Sequence, residues 1–168
     1  MNKTYLAYGS NMNLGQMETR CPQATVIGST VLEDHRLRFR GWHGYGVATI
    51  EPCQGSSIPV LLWEITSECE QALDRYEGFP HLYRKTWLEA SIDGMDIDAM
   101  AYVMNGNPPI AKPSTLYYRT LMEGYKDFGF DDAVLYNALK ESVAAATDAN
   151  YTPISRRTGG TTCGTKGR

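Results

Sequence analysis

Residues Lys3-Thr4-Tyr5-Leu6-Ala7-Tyr8 form a short β-leaning run that stops at Gly9-Ser10-Asn11, three residues suited to a sharp turn and a helix N-cap. The expected order is strand, tight turn, helix start. Residues 12–20 can make about two helical turns, and Pro22, which fits poorly inside a helix, marks the end. Between Ala24 and Ile65 the apolar positions fall into four short β-rich stretches, 25–32, 36–40, 46–50 and 58–65, separated by glycine, proline and polar residues. This pattern predicts a meandering or barrel-like sheet.

Ser67-Glu68-Cys69-Glu70 matches a capping box, in which Ser67 serves the Glu70 amide and the Glu70 carboxylate reaches back. A helix should run from there to about Tyr76 or Glu77. Gly78 stands where a left-handed C-terminal cap is usual, and Pro80 keeps the helix from resuming, so Glu77 lies at a helix end. Two more strands are expected at 85–92 and 96–104, before Asn105-Gly106-Asn107-Pro108-Pro109 breaks the regular structure. Pro113-Ser114 then opens a helix reaching about Phe128. Asp131 can cap another that carries Val134, Leu135, Ala138, Leu139 and Val143 on one face. From about residue 148 periodicity gives way to Gly, Thr and basic residues, so the expectation is one domain over residues 1–147 and a flexible basic tail over 148–168.

The composition adds limits rather than chemistry. At 168 residues and 42% hydrophobic content the chain can bury a core without disulfides or metal. A net charge of −3 gives no reason to expect a polyanionic partner. Only the tail departs from this: Arg156, Arg157, Lys166 and Arg168 carry four positive charges, leaving −7 for the rest of the chain, so nucleic-acid association could reside only there. A solvated end is the simpler reading. No apolar run reaches the length of a membrane span, and residues 1–8 lead straight into a strand-like segment, so a cytoplasmic protein without membrane contact is expected. Cys21, Cys53, Cys69 and Cys163 are widely spaced, as are His35, His43 and His81; reduced thiols and no metal are expected. The oligomeric state is not legible.

Three groups of residues could carry chemistry. Tyr8-Gly9-Ser10-Asn11 puts consecutive amides at a strand-to-helix turn, where an anion or developing oxyanion is favoured, although for the tetrapeptide alone a plain turn with Asn11 as the cap is the simpler reading. Glu77, among the apolar and aromatic residues of Leu73-Asp74-Arg75-Tyr76-Glu77-Gly78-Phe79-Pro80, could be desolvated into a base near neutrality or be an ordinary helix-end glutamate. Of eleven tyrosines, Tyr83, Tyr102 and Tyr117 lie in separate elements that could converge on a polar ligand, or could simply pack.

Taken in order, these residues resemble the γ-glutamylcyclotransferase family in its broad sense, including AIG2-like proteins and γ-glutamylamine cyclotransferases. The match runs from Tyr5-Leu6-Ala7-Tyr8-Gly9-Ser10-Asn11 through Arg20-Cys21-Pro22 to Leu73-Asp74-Arg75-Tyr76-Glu77-Gly78 and Tyr83-Arg84-Lys85. It continues through Ala101-Tyr102-Val103-Met104 and Pro113-Ser114 to Tyr117 and Glu123-Gly124. The resemblance implies an α+β fold, a small mixed β-barrel flanked by helices, with a cavity where the 8–11 turn meets the Glu-bearing helix.

It also implies a cofactor-independent enzyme acting on a small γ-glutamyl amide or amine. The substrate's α-amine attacks its own γ-carbonyl, giving 5-oxoproline and a free amine. Glu77 would be the catalytic acid–base, and Tyr8, Gly9, Ser10, Asn11, Tyr83, Tyr102 and Tyr117 would bind the glutamyl group. A one-residue slip would exchange Tyr117 for Tyr118. The alternative is a non-catalytic module that captures a small ligand in the same cavity. The identity of the leaving amine is not encoded in these motifs.

Overall fold

Strand β1 (Lys3–Ala7) lies at the centre of a five-stranded sheet. The structure is a computed structural model and describes residues 2–42 and 45–149. After β1 come a 3-10 turn (Ser10–Met12), α1 (Leu14–Arg20), β2 (Thr25–Arg40), β3 (Val47–Ile65), α2 (Ser67–Glu77), β4 (Tyr83–Ile92), β5 (Met95–Met104), α3 (Thr115–Asp127) and α4 (Ala133–Ala149). The strand order is β2-β3-β1-β5-β4. β1 pairs antiparallel with β3 and parallel with β5, and β2–β3 and β4–β5 are antiparallel ribbons. This is an α+β protein with a mixed, strongly curled sheet.

The curl brings the two edge strands together at one end only. The Thr30 hydroxyl of β2 bonds to the Ser91 carbonyl of β4. Gly28 lies so close to Ile92 that a side chain there would collide with it. The expected barrel is therefore not closed by a backbone ladder: the sheet stays open, its edges touching only through the Thr30 and Ile92 side chains. Its core is continuous: Leu6, Leu61, Leu62 and Ile65 are fully buried, and Leu73, Leu121 and Leu135 bring α2, α3 and α4 onto it.

Four expected strands turn out to be two long bent ones. Asp34 adopts a positive φ of 55° where the β2–β3 register shifts between Glu33 and His35, and its carboxylate accepts from the amide of Gly55, itself at φ 76°. The ribbon bends here without breaking. The break that follows β5 and the Asp93-Gly94 turn, with φ 52° and 78°, follow ordinary glycine chemistry.

Two caps differ from expectation. α2 is capped by Thr66, whose hydroxyl accepts from the Cys69 amide at 3.2 Å, so Ser67 is already helical. Glu70 does not reach back; it accepts from Lys3 and Lys85 at 2.6 and 2.7 Å. Long-range ion pairing wins over the local cap. α1 is capped by Asn13, not Asn11, with Gln16 donating at 3.0 Å. On α4, Leu135 and Ala138 are buried as expected, but Val143 is 42% exposed and Ser142 takes the inward position. The 148–168 tail lies almost entirely outside the described residues.

α3 approaches the 3-10 turn very closely. A Cβ on Gly124 would lie 3.0 Å from the Asn13 nitrogen and the Met12 carbonyl carbon. The Asn13 side-chain Nδ2, in turn, donates to the Thr120 carbonyl and to Glu123, each at 3.3 Å. Gly124 is needed because two backbones meet there.

Candidate active site

The turn after β1 and the C-terminal end of α2 form two walls of one cavity of about 200 Å3. Tyr8, Gly9, Ser10, Asn11, Glu77, Tyr83, Tyr102 and Tyr117 all line it. Sequence motifs up to 109 positions apart thus converge. The cavity is smaller than the ~300–1,000 Å3 of drug-sized sites, a scale that suits one amino-acid-sized group.

α2 is held by a polar network that fixes where its last turn points. Lys85 Nζ donates to Glu70 and to Asp74 at 2.7 and 2.9 Å, and Tyr102 donates its hydroxyl to Asp74 at 2.6 Å. The helix ends at Gly78, whose left-handed φ of 64° turns the chain sharply beyond Glu77. Glu77 Oε1 then accepts from Asn11 Nδ2 at 2.9 Å.

Burial raises the Glu77 pKa to about 7, although the Asn11 hydrogen bond and the Arg20 charge act to lower it. The carboxyl is therefore poised to exchange a proton near neutrality. Asn11 is itself fully engaged. Its amide nitrogen also donates to Tyr5 at 2.8 Å, its side-chain oxygen accepts from Arg20 at 2.6 Å, and its carbonyl accepts from Trp63 at 3.1 Å. The Asn11 side chain orients Glu77 and has no further N–H to offer.

The turn offers a second set of donors. Met12 and Asn13 donate to the Gly9 and Ser10 carbonyls, so the amides of Gly9, Ser10 and Asn11 precede every bond of this 3-10 turn. A turn of three residues carries little macrodipole; what it can give an anion is the N–H groups themselves.

The tyrosine hydroxyls divide by polarity. Tyr8 donates to the Tyr102 carbonyl at 2.5 Å and Tyr83 to the Ala48 carbonyl at 2.8 Å, so both retain only acceptor capacity. Tyr102 spends its proton on Asp74, leaving its ring as wall. Tyr117 accepts from the Ala48 amide at 3.1 Å and keeps its proton to give. Burial raises the pKa of all four, which keeps them protonated. Tyr118 instead packs edge-on against Phe39. It is Tyr117 that lines the cavity.

Sequence reasoning missed Tyr5, Tyr76, Leu82 and Arg20. Arg20 stacks 3.6 Å over the Tyr76 ring while donating to Gln16 at 2.5 Å and to Ser10 at 3.3 Å. Its signal was present: nine residues after Asn11, at the end of a two-turn helix, a long side chain can fold back over the turn. Tyr76 and Leu82 are 47% and 45% exposed and form the rim. Among the described residues no group of His, Cys, Asp and Glu could hold a metal, and no helix is long and apolar enough to cross a membrane.

The fold is shared with solved proteins. A structure described as a γ-glutamyl cyclotransferase superposes with a TM-score of 0.72 at 22% identity, covering 97% of this chain and 95% of that one. At that identity the likeness defines the fold class. The sequence goes further: the model of the family described as γ-glutamyl cyclotransferase, AIG2-like, matches residues 5–127. Curated γ-glutamylcyclotransferases of human and mouse are each 30% identical over 135 residues, 74% of this chain and 71% of theirs. The chain belongs to the γ-glutamyl cyclotransferase, AIG2-like family and is an enzyme of that class.

Proposed function

We propose that the protein cleaves a γ-glutamyl amide or amine by intramolecular aminolysis, with Glu77 as the acid–base. The single observation that carries this reading is the Glu77 carboxyl, raised to about 7 and held by Asn11 in the wall of a cavity sized for a glutamyl group.

The substrate's α-ammonium lies against Glu77 and first gives up one proton to water; the free amine then attacks the γ-carbonyl, and Glu77 takes the second proton as the nitrogen is acylated. A carbon–nitrogen bond forms to close the five-membered lactam. The γ-amide bond then breaks, and Glu77 returns its proton to the departing nitrogen. One carboxyl serves both steps because its pKa lies near the working pH. The free amides of the 8–11 turn and the Tyr117 hydroxyl supply donors for the α-carboxylate or the developing oxyanion. Tyr8 and Tyr83, with lone pairs only, suit the ammonium side. Binding the chain in a cyclised conformation supplies the proximity that makes such a reaction effectively unimolecular. The products are 5-oxoproline and a free amine.

The cavity supports a preference at the leaving end. Among the described lining residues Glu77 is the only charged side chain, while Tyr76 and Leu82 form an apolar rim. An amine with an apolar body suits that rim better than one carrying a carboxylate. We take residues 1–147 as the catalytic unit and 148–168 as an appendage. The setting is read as cytoplasmic, which the buried free thiols of Cys21 and Cys69 support.

The direct experiment measures 5-oxoproline release from γ-glutamyl amines by the wild-type chain and by Glu77→Gln. Release by the first and its loss in a folded second is the expected result; equal turnover by both removes Glu77 from the reaction.

A further inference from the structure

The two sheet edges that touch at Thr30 and Ser91 diverge toward the other end of β2 and β4, and the gap between them is a second cavity of about 470 Å3. Moving away from that contact, β2 presents Arg36 and Arg40 on one face, because alternate residues share a face. Across the gap β4 presents Arg84. Three guanidinium groups therefore line one cavity, and the one carboxylate in the lining, among the described residues, is Glu51.

Glu51 is already shared. It pairs with Arg36 and Arg38 at 3.3 Å each, and with Arg40. Arg38 leaves this count because Glu141 of α4 lies 3.3 Å from it. Burial works to raise the Glu51 pKa, but the Arg40 hydrogen bond and the charges of Arg40, Arg38 and Arg36 outweigh it and hold the group ionised. Two positive charges in the lining remain without a counter-charge. Arg40 and Arg84 are also anchored by the cavity's own backbone, donating to the carbonyls of Pro108 and Met104 at 2.7 and 2.8 Å. Arg36 Nε is buried without a hydrogen-bond partner among the described residues.

Like charges facing each other across a partly desolvated gap repel unless an anion bridges them. Planar guanidinium forks match phosphate oxygens two at a time. The cavity is too large for phosphate alone and falls within the range of small-molecule sites, and Ile50, Leu88 and Val103 give it an apolar wall. We propose that this seam between β2 and β4 is a binding site for a small organic phosphate, its phosphoryl group bridging Arg36, Arg40 and Arg84 and its body resting on the apolar wall.

The site is separate from the Glu77 cavity but shares a strand with it. Ala48 serves Tyr83 and Tyr117, and the next residue, Thr49, accepts from the Met104 amide beside Arg84. The proposal does not depend on the reaction assigned above.

Titration calorimetry on the full chain with adenosine monophosphate, inorganic phosphate, adenosine and citrate tests it. Adenosine monophosphate should bind at one site, more tightly than inorganic phosphate, with adenosine giving no heat and citrate binding more weakly. Arg84→Gln should weaken binding by roughly tenfold or more, the loss of a charged hydrogen bond. Lys126→Gln, on α3, should leave it unchanged, and Glu51→Gln should strengthen it. No binding of the monophosphate to the wild-type chain, citrate binding as tightly, or binding indifferent to Arg84→Gln would each overturn the proposal. Because Arg84→Gln leaves the Arg–Glu51 cluster intact, the test does not rest on whether Glu51→Gln folds.

Discussion

Asn11 and Glu77, 66 residues apart, are joined by one hydrogen bond of 2.9 Å, and Asn11 is held in turn by Arg20, Tyr5 and Trp63. The base is aimed from the turn that it faces. In the mechanism proposed here, that bond sets both the orientation of the carboxyl and part of its proton affinity.

The raised Glu77 pKa implies a conflict between folding and activity. A carboxyl that binds its proton more tightly folded than unfolded adds stability below its unfolded pKa, about 4.5, and loses it as pH rises through about 7. Glu77→Gln should therefore abolish 5-oxoproline release while stabilising the fold at pH 8 by up to about 3 kcal/mol, with little difference at pH 4. Chemical denaturation at both pH values measures this, and equal effects at the two would refute it.

The pH profile should show the same group. The rate constant kcat/KM should rise through an acid limb near pH 7 as Glu77 ionises. Replacing Arg20 by Met removes a charge that lowers this pKa and frees Asn11, so the limb should move to higher pH. Activity at pH 6 would then fall roughly three- to tenfold, and the plateau at pH 9 should survive. A uniform loss at every pH would assign Arg20 to folding alone.

Hydroxyl polarity separates the tyrosines. Tyr117→Phe removes a cavity hydroxyl that accepts from the Ala48 amide and keeps its own proton to donate, and should lower kcat/KM roughly tenfold to a hundredfold. Tyr118→Phe should stay near wild type. Tyr102→Phe breaks the bond to Asp74 and should cost about 1 kcal/mol of stability with little change in KM. Steady-state kinetics of the three variants, beside their melting curves, decides the assignment.

The rim sets the final expectation. γ-Glutamyl compounds whose amine carries an aliphatic or aromatic body should show higher kcat/KM than those bearing a carboxylate. Leu82→Lys should narrow or reverse that order. An unchanged ranking in that variant would take the rim out of substrate selection.

Local chemistry made much of this fold readable. Gly78 after Glu77, Ser114 before α3 and the run from Lys3 to Ala7 each occur where turn, cap and strand propensities agree with the tertiary structure. The failures are places where distant residues overrule local preference. Glu70 leaves its capping box for Lys3 and Lys85, and Asp34 with Gly55 lets one ribbon bend where short strands were expected to end. The motif residues of the site could be named because they sit in distinctive tetrapeptides. Tyr5 and Tyr76 could not, since their places arise only when β1 and α2 meet across the cavity, and Arg20, whose spacing allowed it to fold back, gains its part only through contact with Tyr76 and Ser10. Hydroxyl polarity was equally hidden, because it depends on which backbone group each tyrosine meets.

Helix α3 touches the site at two levels. Tyr117 bonds to β3 at Ala48, and Gly124, two turns further on, abuts the turn at Met12 and Asn13. The seven-residue step between them spans ~10 Å of stiff helix. α3 thus acts as a spacer that sets how far the β3 wall stands from the 3-10 turn. A change as small as a methyl group at position 124 would be transmitted along it as a change in the width of the substrate cavity.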